Sequence, residues 1–313
     1  MTRPRTQQLL GYAAATASGV CAGLMYGLNK QVTGSVSALP VTFVEAVVAS
    51  LLLLPWYLVR FGGNLWPRRT PWLWLLTFGA TAVMLFYFRT LGVALTGPTT
   101  ASLVTRFELV LVMVYSYLFL TEKPSTMGWI GAIALVLGML AALDLQSATA
   151  IVRLGGVGAA LLCAAGIAIN AIIIRLHLNK VRDELIALSN VVCQSLALPL
   201  FVIFAGELPA VTAAVANPRQ LLLLVLGGAC IPAMLVTYYF AMKRIPMWSC
   251  RLLNLVTPVV ALLLDHFWLH SAISGAQLLG LALVIGGAML VITSGMARRT
   301  AEAESEEVAV GGH

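Results

Sequence analysis

Apolar residues in this chain gather into ten long runs separated by short polar or charged stretches. The runs cover residues 8 to 29, 37 to 60, 71 to 94, 98 to 120, 125 to 145, 155 to 177, 184 to 205, 219 to 242, 246 to 269 and 273 to 296. About 30 Å of hydrocarbon calls for roughly 20 apolar residues at 1.5 Å rise per residue, so each run is long enough to cross a bilayer. None shows the strict alternation of a barrel strand, and in lipid only helices or closed barrels satisfy the backbone. The pattern predicts an all-α polytopic membrane protein with ten transmembrane helices. Composition agrees, because 60% hydrophobic and 10% charged residues, with a mean hydropathy of +0.94, lie far from the values of soluble domains.

The runs also repeat. A shift of 149 residues lays the last three runs of the first half on those of the second, so that Gly92-Val93-Ala94 meets Ala241-Met242-Lys243, Leu109 meets Pro258 and Gly131 meets Gly280. Residues 1–145 and 146–296 are therefore read as two five-helix repeats. Residues 297–313, with Glu302, Glu304, Glu306 and Glu307, are expected to form a disordered acidic cytoplasmic tail. An odd number of helices per repeat turns the second copy upside down, giving inverted topology. Equivalent loops should then differ in charge, since Lys and Arg gather on the cytoplasmic side. They do differ: Leu95-Thr96-Gly97 precedes the fourth run, whereas Lys243-Arg244-Ile245 precedes its counterpart.

With the N terminus inside, the cytoplasmic ends hold Arg3, Arg5, Arg60, Arg68, Arg69, Lys123, Arg175, Lys180, Arg182, Lys243, Arg244, Arg298 and Arg299. The outer ends hold Lys30, Arg153 and Arg219. This asymmetry places both termini in the cytoplasm and the chain in the cell inner (plasma) membrane as a multi-pass protein. It also accounts for the formal charge of +7 without nucleic acid, leaving membrane lipids as the neighbours of the basic residues.

Cys21, Cys163, Cys193, Cys230 and Cys250 are scattered singly along the helices, where they behave as small hydrophobes. No disulfide, metal or cofactor is expected. Ser18-Gly19-Val20-Cys21 only faintly matches a lipoprotein cleavage site, because Val20 is too bulky, so the first helix is expected to remain. Gly155-Gly156-Val157-Gly158 lacks the spacing and preceding strand of a nucleotide loop and reads as the start of a helix.

Several stretches resemble a known family. They are Tyr26-Gly27-Leu28-Asn29-Lys30 in the first helix, Leu118-Phe119-Leu120-Thr121-Glu122-Lys123 followed by Gly131, Tyr238-Tyr239-Phe240-Ala241-Met242-Lys243-Arg244-Ile245-Pro246, and Leu255-Val256-Thr257-Pro258-Val259. In their order, spacing and duplication over residues 8 to 296 they resemble the ten-helix EamA-type transporters of the drug/metabolite transporter superfamily, whose bacterial members include YddG-like amino-acid exporters. The resemblance implies a transporter built from inverted repeats. Two positions depart from it: Glu45 stands where many relatives carry Arg, and His270-Ser271 replaces an expected glutamate.

Charges inside the apolar runs are the sharpest chemical signal. Glu45, Arg89, Arg106 and Glu108 would each cost about 2.5–3.5 kcal/mol facing lipid, so they must pair or line a polar space. Two acids and two bases suit a structural cluster, and equally a site for a zwitterion. Arg106 and Glu108, two residues apart on a continuous helix, should point about 200° apart, which leaves at least one with a partner on a neighbouring helix. Arg89 and Arg106, with Gly23 of the Gly19/Gly23/Gly27 ridge, are assigned to structure or gating. In the ninth run Arg251, Asn254, Pro258 and Asp265 share one stripe, and Arg251 and Asn254 match Ser102 and Thr105 in the other repeat. Pro258 in mid-helix would free a backbone carbonyl. Candidate substrate-binding residues are thus Glu45, Asn29, Tyr87, Ser102, Thr105, Glu108, Asn170, Tyr239, Arg251, Asn254 and Pro258, with Gln194, Tyr238 and Trp248 as further polar or aromatic candidates.

The expected function is secondary transport of a small metabolite, an amino acid or related amphipathic compound, in the export direction by alternating access. Glu45 or Glu108 could carry a proton if transport is ion-coupled. The expected molecule is a monomer or weak dimer and not an enzyme. The competing reading, a membrane-embedded lipid-modifying enzyme, lacks a paired His/Asp or His/Glu motif among His177, His266, His270 and His313.

Overall fold

The computed structural model describes residues 5–62, 71–119, 125–143, 150–242, 244–245 and 247–311. Arg3, Arg68, Arg69, Lys123, Lys243, Pro246 and the boundary between the repeats at 145/146 lie outside the described residues. The described chain is helical, with no strand among its described residues. The first half contains α1 (Arg5–Thr33), α2 (Ala38–Phe61), α3 (Trp72–Thr96), α4 (Pro98–Thr105), α5 (Glu108–Phe119) and α6 (Thr126–Ala141). The second contains α7 (Ala150–His177), α8 (Asp183–Phe204), α9 (Leu208–Ala216), α10 (Pro218–Met242), α11 (Met247–Leu253), α12 (Val256–Phe267) and α13 (Gly275–Gly311).

Eight helices among the described residues are long and apolar enough to span a bilayer, Ser249–Phe267 counting as one. The other two expected spans correspond to the broken pair α4 and α5 and to the shorter α6. Helix starts follow local chemistry. Ser125 caps α6 by accepting from the Gly128 N–H at 3.1 Å. Gly97, at φ +98°, turns α3 into α4, a backbone conformation natural to glycine, and Pro98 opens the new helix.

The structure corrects two expectations. The runs 98–120 and 246–269 are not continuous helices, because each is interrupted near its middle, at Arg106-Phe107 and at Asn254-Leu255. The segment between α8 and α10 contains a helix, α9, with Pro209 in its first turn. Helix α13 continues to Gly311, through the acidic stretch at 297–311. That stretch carries Ala and Glu and no Gly or Pro between Met296 and Gly311, and Ala and Glu favour helix.

The two interruptions lie within one residue of each other under the 149-residue shift, and their hydrogen bonding matches. The Arg106 N–H donates to the Leu103 carbonyl at 3.1 Å, and the Leu255 N–H to the Leu252 carbonyl at 3.0 Å. Both are i to i−3 bonds, the tightened turn that marks a mid-helix hinge.

Packing repeats the same symmetry. Helix α1 lies on α10 as α7 lies on α3, and α2 meets α10 as α8 meets α3. Gly131 of α6 would meet the Gly287 carbonyl of α13 at 2.6 Å if it carried a Cβ, and Gly280 would meet the Gly138 carbonyl at 2.7 Å. The two helices therefore run antiparallel. The 149-residue shift exchanges these contacts, an isologous interface within one chain. Likewise Ser50 of α2 hydrogen-bonds Ser195 of α8 at 2.9 Å, and each of these helices contains a proline near its end, Pro55 and Pro199.

Small residues set the helix spacing. Gly19, Gly23 and Gly27 of α1 receive Val256, Val260 and Leu264 of α12, with hypothetical Cβ contacts of 2.5, 2.5 and 2.7 Å. This is close packing through small residues, which replaces the hydrophobic drive that lipid cannot supply. Large apolar side chains such as Leu51, Val59, Leu73 and Phe204 point outward, toward what the reading of a membrane protein makes lipid.

Candidate functional site

The centre of the bundle is more polar than its rim. Glu45 on α2 is 1% exposed and Arg89 on α3 is 6% exposed. Their closest atoms, Glu45 Oε2 and Arg89 Nη2, are 3.9 Å apart, an ion-pair separation longer than the 2.7–2.9 Å of a charge-assisted hydrogen bond. Asn29 of α1 completes the group. With its amide nitrogen facing the carboxylate, Nδ2 donates to Glu45 Oε1 at 2.5 Å and to the Met25 carbonyl at 3.1 Å, and its other amide atom lies 3.3 Å from Thr90 Oγ1. Helix α10 makes room through Gly227, where a Cβ would collide with Glu45 Oε1. The carboxylate thus sits where α1, α2 and α3 of one half meet α10 of the other.

The Arg89 guanidinium is boxed in by weak partners. Its Nη1 donates to Met25 Sδ at 3.9 Å, and its carbon lies 4.2 Å from the Phe86 ring centroid. Nε and Nη2 make no hydrogen bond, nor does Glu45 Oε2. Buried charges on this scale are costly unless paired and bonded, and removing one partner of such a pair typically costs about 3–5 kcal/mol.

A second ion pair lies at the interruption of α4 and α5. Arg106 Nη1 and Glu108 Oε1 are 3.6 Å apart, with side chains 13% and 14% exposed. The expectation that these side chains diverge holds for a continuous helix. The break at Arg106-Phe107 alters the rotation between them and lets them pair. Beside them, Thr105 Oγ1 hydrogen-bonds the Tyr26 hydroxyl of α1 at 3.0 Å. At the equivalent break Asn254 Nδ2 donates to the Cys250 carbonyl at 3.1 Å. Thr257 Oγ1 donates to the Gly19 carbonyl at 3.0 Å, tying α12 to α1.

Pro258 is buried in the first turn of α12 rather than in mid-helix. There its missing N–H costs little, and the Asn254 carbonyl that a mid-helix proline would free accepts from the Thr257 N–H at 3.1 Å.

A third polar group closes one end of the bundle. Thr99 Oγ1 of α4 donates to Asp265 Oδ2 of α12 at 2.6 Å, across the two halves. Lys30 Nζ of α1 donates to the Ala94 carbonyl of α3 at 2.8 Å. Sequence reasoning placed Asp265 on the polar stripe and Lys30 at the outer end without pairing either to this corner; Thr99 carries no charge and gave no signal.

The remaining candidates divide. Ser102 is buried, with its hydroxyl donating to the Thr99 carbonyl of its own helix at 2.8 Å. Asn170 of α7 is buried and accepts from Thr81 of α3, apart from the Glu45 group. Tyr239 is buried within a largely apolar cluster, edge to face with Tyr238. Gln194 bonds Asn190 at 2.6 Å. Tyr87 is half-buried beside Phe88, Arg251 is half-buried on α11, and the side chain of Trp248 lies outside the described residues. The structure brings together Asn29, Glu45 and Arg89, and separately Thr105, Arg106 and Glu108. It adds Met25, Tyr26, Phe86, Thr90 and Gly227, apolar or weakly polar residues that a search for charge passes over.

Comparison with known proteins agrees with the duplicated architecture. The family described as the EamA-like transporter family matches residues 9–143 and again residues 154–293. No curated protein matches the chain. A solved structure described only as a crystal structure of protein is similar over 94% of this chain and 97% of that chain, with 20% identity and a TM-score of 0.63. At that identity the likeness concerns the fold alone.

Proposed function

Since this chain belongs to the EamA-like transporter family, we propose that it is a secondary transporter exporting a small metabolite, an amino acid or related amphipathic compound, by alternating access. The paired helix interruptions carry this reading. Two equivalent helices break within one residue of the same aligned position, the first of them beside the nearly buried Arg106–Glu108 ion pair. Discontinuous helices at a repeat interface let backbone and charge meet a polar solute at mid-depth, while the breaks serve as hinges.

In this reading the halves have inverted topology, ten spans and cytoplasmic termini in the plasma membrane. The Lys and Arg asymmetry and the antiparallel exchange of α6 and α13 support it. One chain holds both halves of the pathway, so a monomer suffices. Glu45, Asn29, Thr105, Glu108, Arg251 and Asn254 bound the route, and the Thr99–Asp265 and Lys30–Ala94 contacts close its outer end.

The test is uptake into proteoliposomes of a radiolabelled mixture of amino acids, with unlabelled mixture preloaded so that exchange requires no ion gradient. Counterflow above protein-free vesicles is expected. It should disappear when Thr99→Cys/Asp265→Cys is oxidised to a cross-link and return on reduction. Undiminished flux through the cross-linked protein would rule out closure at this end.

A further inference from the structure

We propose that Arg89 and Arg106, assigned to structure or gating on sequence grounds, are substrate contacts that together grip a carboxylate group. The inference rests on the transport reading and adds to it the chemical class of the recognised group and the residues that recognise it.

Both guanidiniums hold unspent hydrogen-bond donors. Six buried side-chain nitrogen or oxygen atoms among the described residues lack a hydrogen-bond partner, and three are N–H donors of these two guanidiniums: Arg89 Nε, Arg89 Nη2 and Arg106 Nε. A guanidinium does not shed its charge in proteins, so it cannot escape by turning neutral. Each buried donor without an acceptor is costly, and a native structure keeps it only where something outside the described chain fills the role.

Neighbouring carboxylates leave that role open. Glu45 is 3.9 Å from Arg89, Glu108 is 3.6 Å from Arg106, and both separations exceed charge-assisted hydrogen-bond length. Within this cluster the only orphaned acceptor is Glu45 Oε2. Donors outnumber acceptors, which selects an acceptor-rich ligand.

The two groups meet adjacent residues of α1: Arg89 touches Met25, and Thr105, the residue before Arg106, bonds to Tyr26, the residue after Met25. A planar carboxylate offers two oxygens, each able to accept from a guanidinium fork, the geometry that Arg recognises and Lys does not reproduce.

Charge balance separates carboxylate from phosphate. Glu45, Arg89, Arg106 and Glu108 sum to zero, so a dianionic phosphate would enter without compensation. A zwitterion leaves the sum unchanged, and its cationic end can turn to Glu45 Oε2.

Purified full-length protein in detergent provides the test. Thermal unfolding is followed in three matched series: glycine, leucine and phenylalanine; glycinamide, leucinamide and phenylalaninamide; and inorganic phosphate. The free acids should raise the melting temperature in a concentration-dependent way and the amides should not. Arg106→Lys should shift the concentration needed by at least about tenfold. Arg89→Lys should do the same. Because a buried Arg89 variant can lose its fold, the partly exposed Arg106 carries the test alone if it does.

Equal stabilisation by acids and amides, stabilisation by phosphate alone, or no stabilisation by any probe overturns the proposal. So does Arg106→Lys with unaltered dependence on the acids. Counterflow of amides as fast as acids overturns it while leaving transport standing. Acid-selective binding with no counterflow of any probe supports the carboxylate site and overturns transport.

Discussion

The two halves share a backbone plan and differ in where they keep their charge. Helices α4–α5 and α11–α12 break within one residue of the same aligned position, yet under the 149-residue shift Arg89 faces Tyr238, Arg106 faces Leu255 and Glu108 faces Thr257. Helix α2 buries a carboxylate, Glu45, whereas its counterpart α8 buries the amides Asn190 and Gln194, bonded to each other at 2.6 Å. Shape is symmetric and chemistry is not. Symmetry is what two interchangeable end states require, and a single asymmetric binding centre is what one small polar solute requires.

The largest effect should come from breaking the symmetric part. Gly131→Leu drives a side chain into the backbone of Gly287, and Gly280→Leu does the same against Gly138. Overpacking by an extra methylene or two typically costs about 1–3 kcal/mol; here a whole side chain meets rigid backbone, so both losses should exceed that range and any single loss in the polar centre. Folded yield and melting temperature should drop equally in the two variants. Gly286→Leu, where nothing lies within 4 Å of a Cβ, should behave as wild type. A severe Gly131 variant beside a mild Gly280 variant would break the twofold equivalence.

The asymmetric part comes next. Glu45→Gln leaves Arg89 buried beside no counter-charge, a loss on the order of 3–5 kcal/mol. Glu45→Gln/Arg89→Gln leaves uncharged side chains at these two positions, as Gln194 and Tyr238 do in the second half, and should recover most of the lost melting temperature while abolishing counterflow. A double variant that still transports would assign the pair to structure alone. Smaller still is the effect of Arg251→Ala, since Arg251 is half-buried on α11. Melting should be unchanged, and counterflow of anionic or zwitterionic amino acids should weaken more than that of cationic ones. Equal loss for all, or none, would make Arg251 an interfacial anchor.

Much of this was legible in the residues. Run length and hydropathy give helices that cross a membrane, and the intramembrane charges of Glu45 and Arg89 announce a polar interior because lipid penalises them. The breaks were harder. Pro258 signals one, but read as a mid-helix kink it points to the wrong consequence, since it opens α12. The break at Arg106-Phe107 carries no Gly or Pro and becomes visible only by carrying Pro258 back to Leu109 through the repeat. The pairing of Arg106 with Glu108 follows from that break, and so was hidden with it. Contacts such as Tyr26 with Thr105, or Gly227 with Glu45, join distant segments through side chains that have no charge to flag them.

Inverted topology underlies the proposed transport, and one labelling experiment tests it without knowledge of the substrate. Ser35, between α1 and α2, and Lys180, between α7 and α8, occupy equivalent exposed loops. In a background with Cys21, Cys163, Cys193, Cys230 and Cys250 replaced by Ala, Ser35→Cys and Lys180→Cys are each treated in intact cells with a membrane-impermeant maleimide. The inverted arrangement predicts labelling at position 35 from outside, and labelling at position 180 only after the membrane is opened. Labelling of both positions from the same side would contradict it.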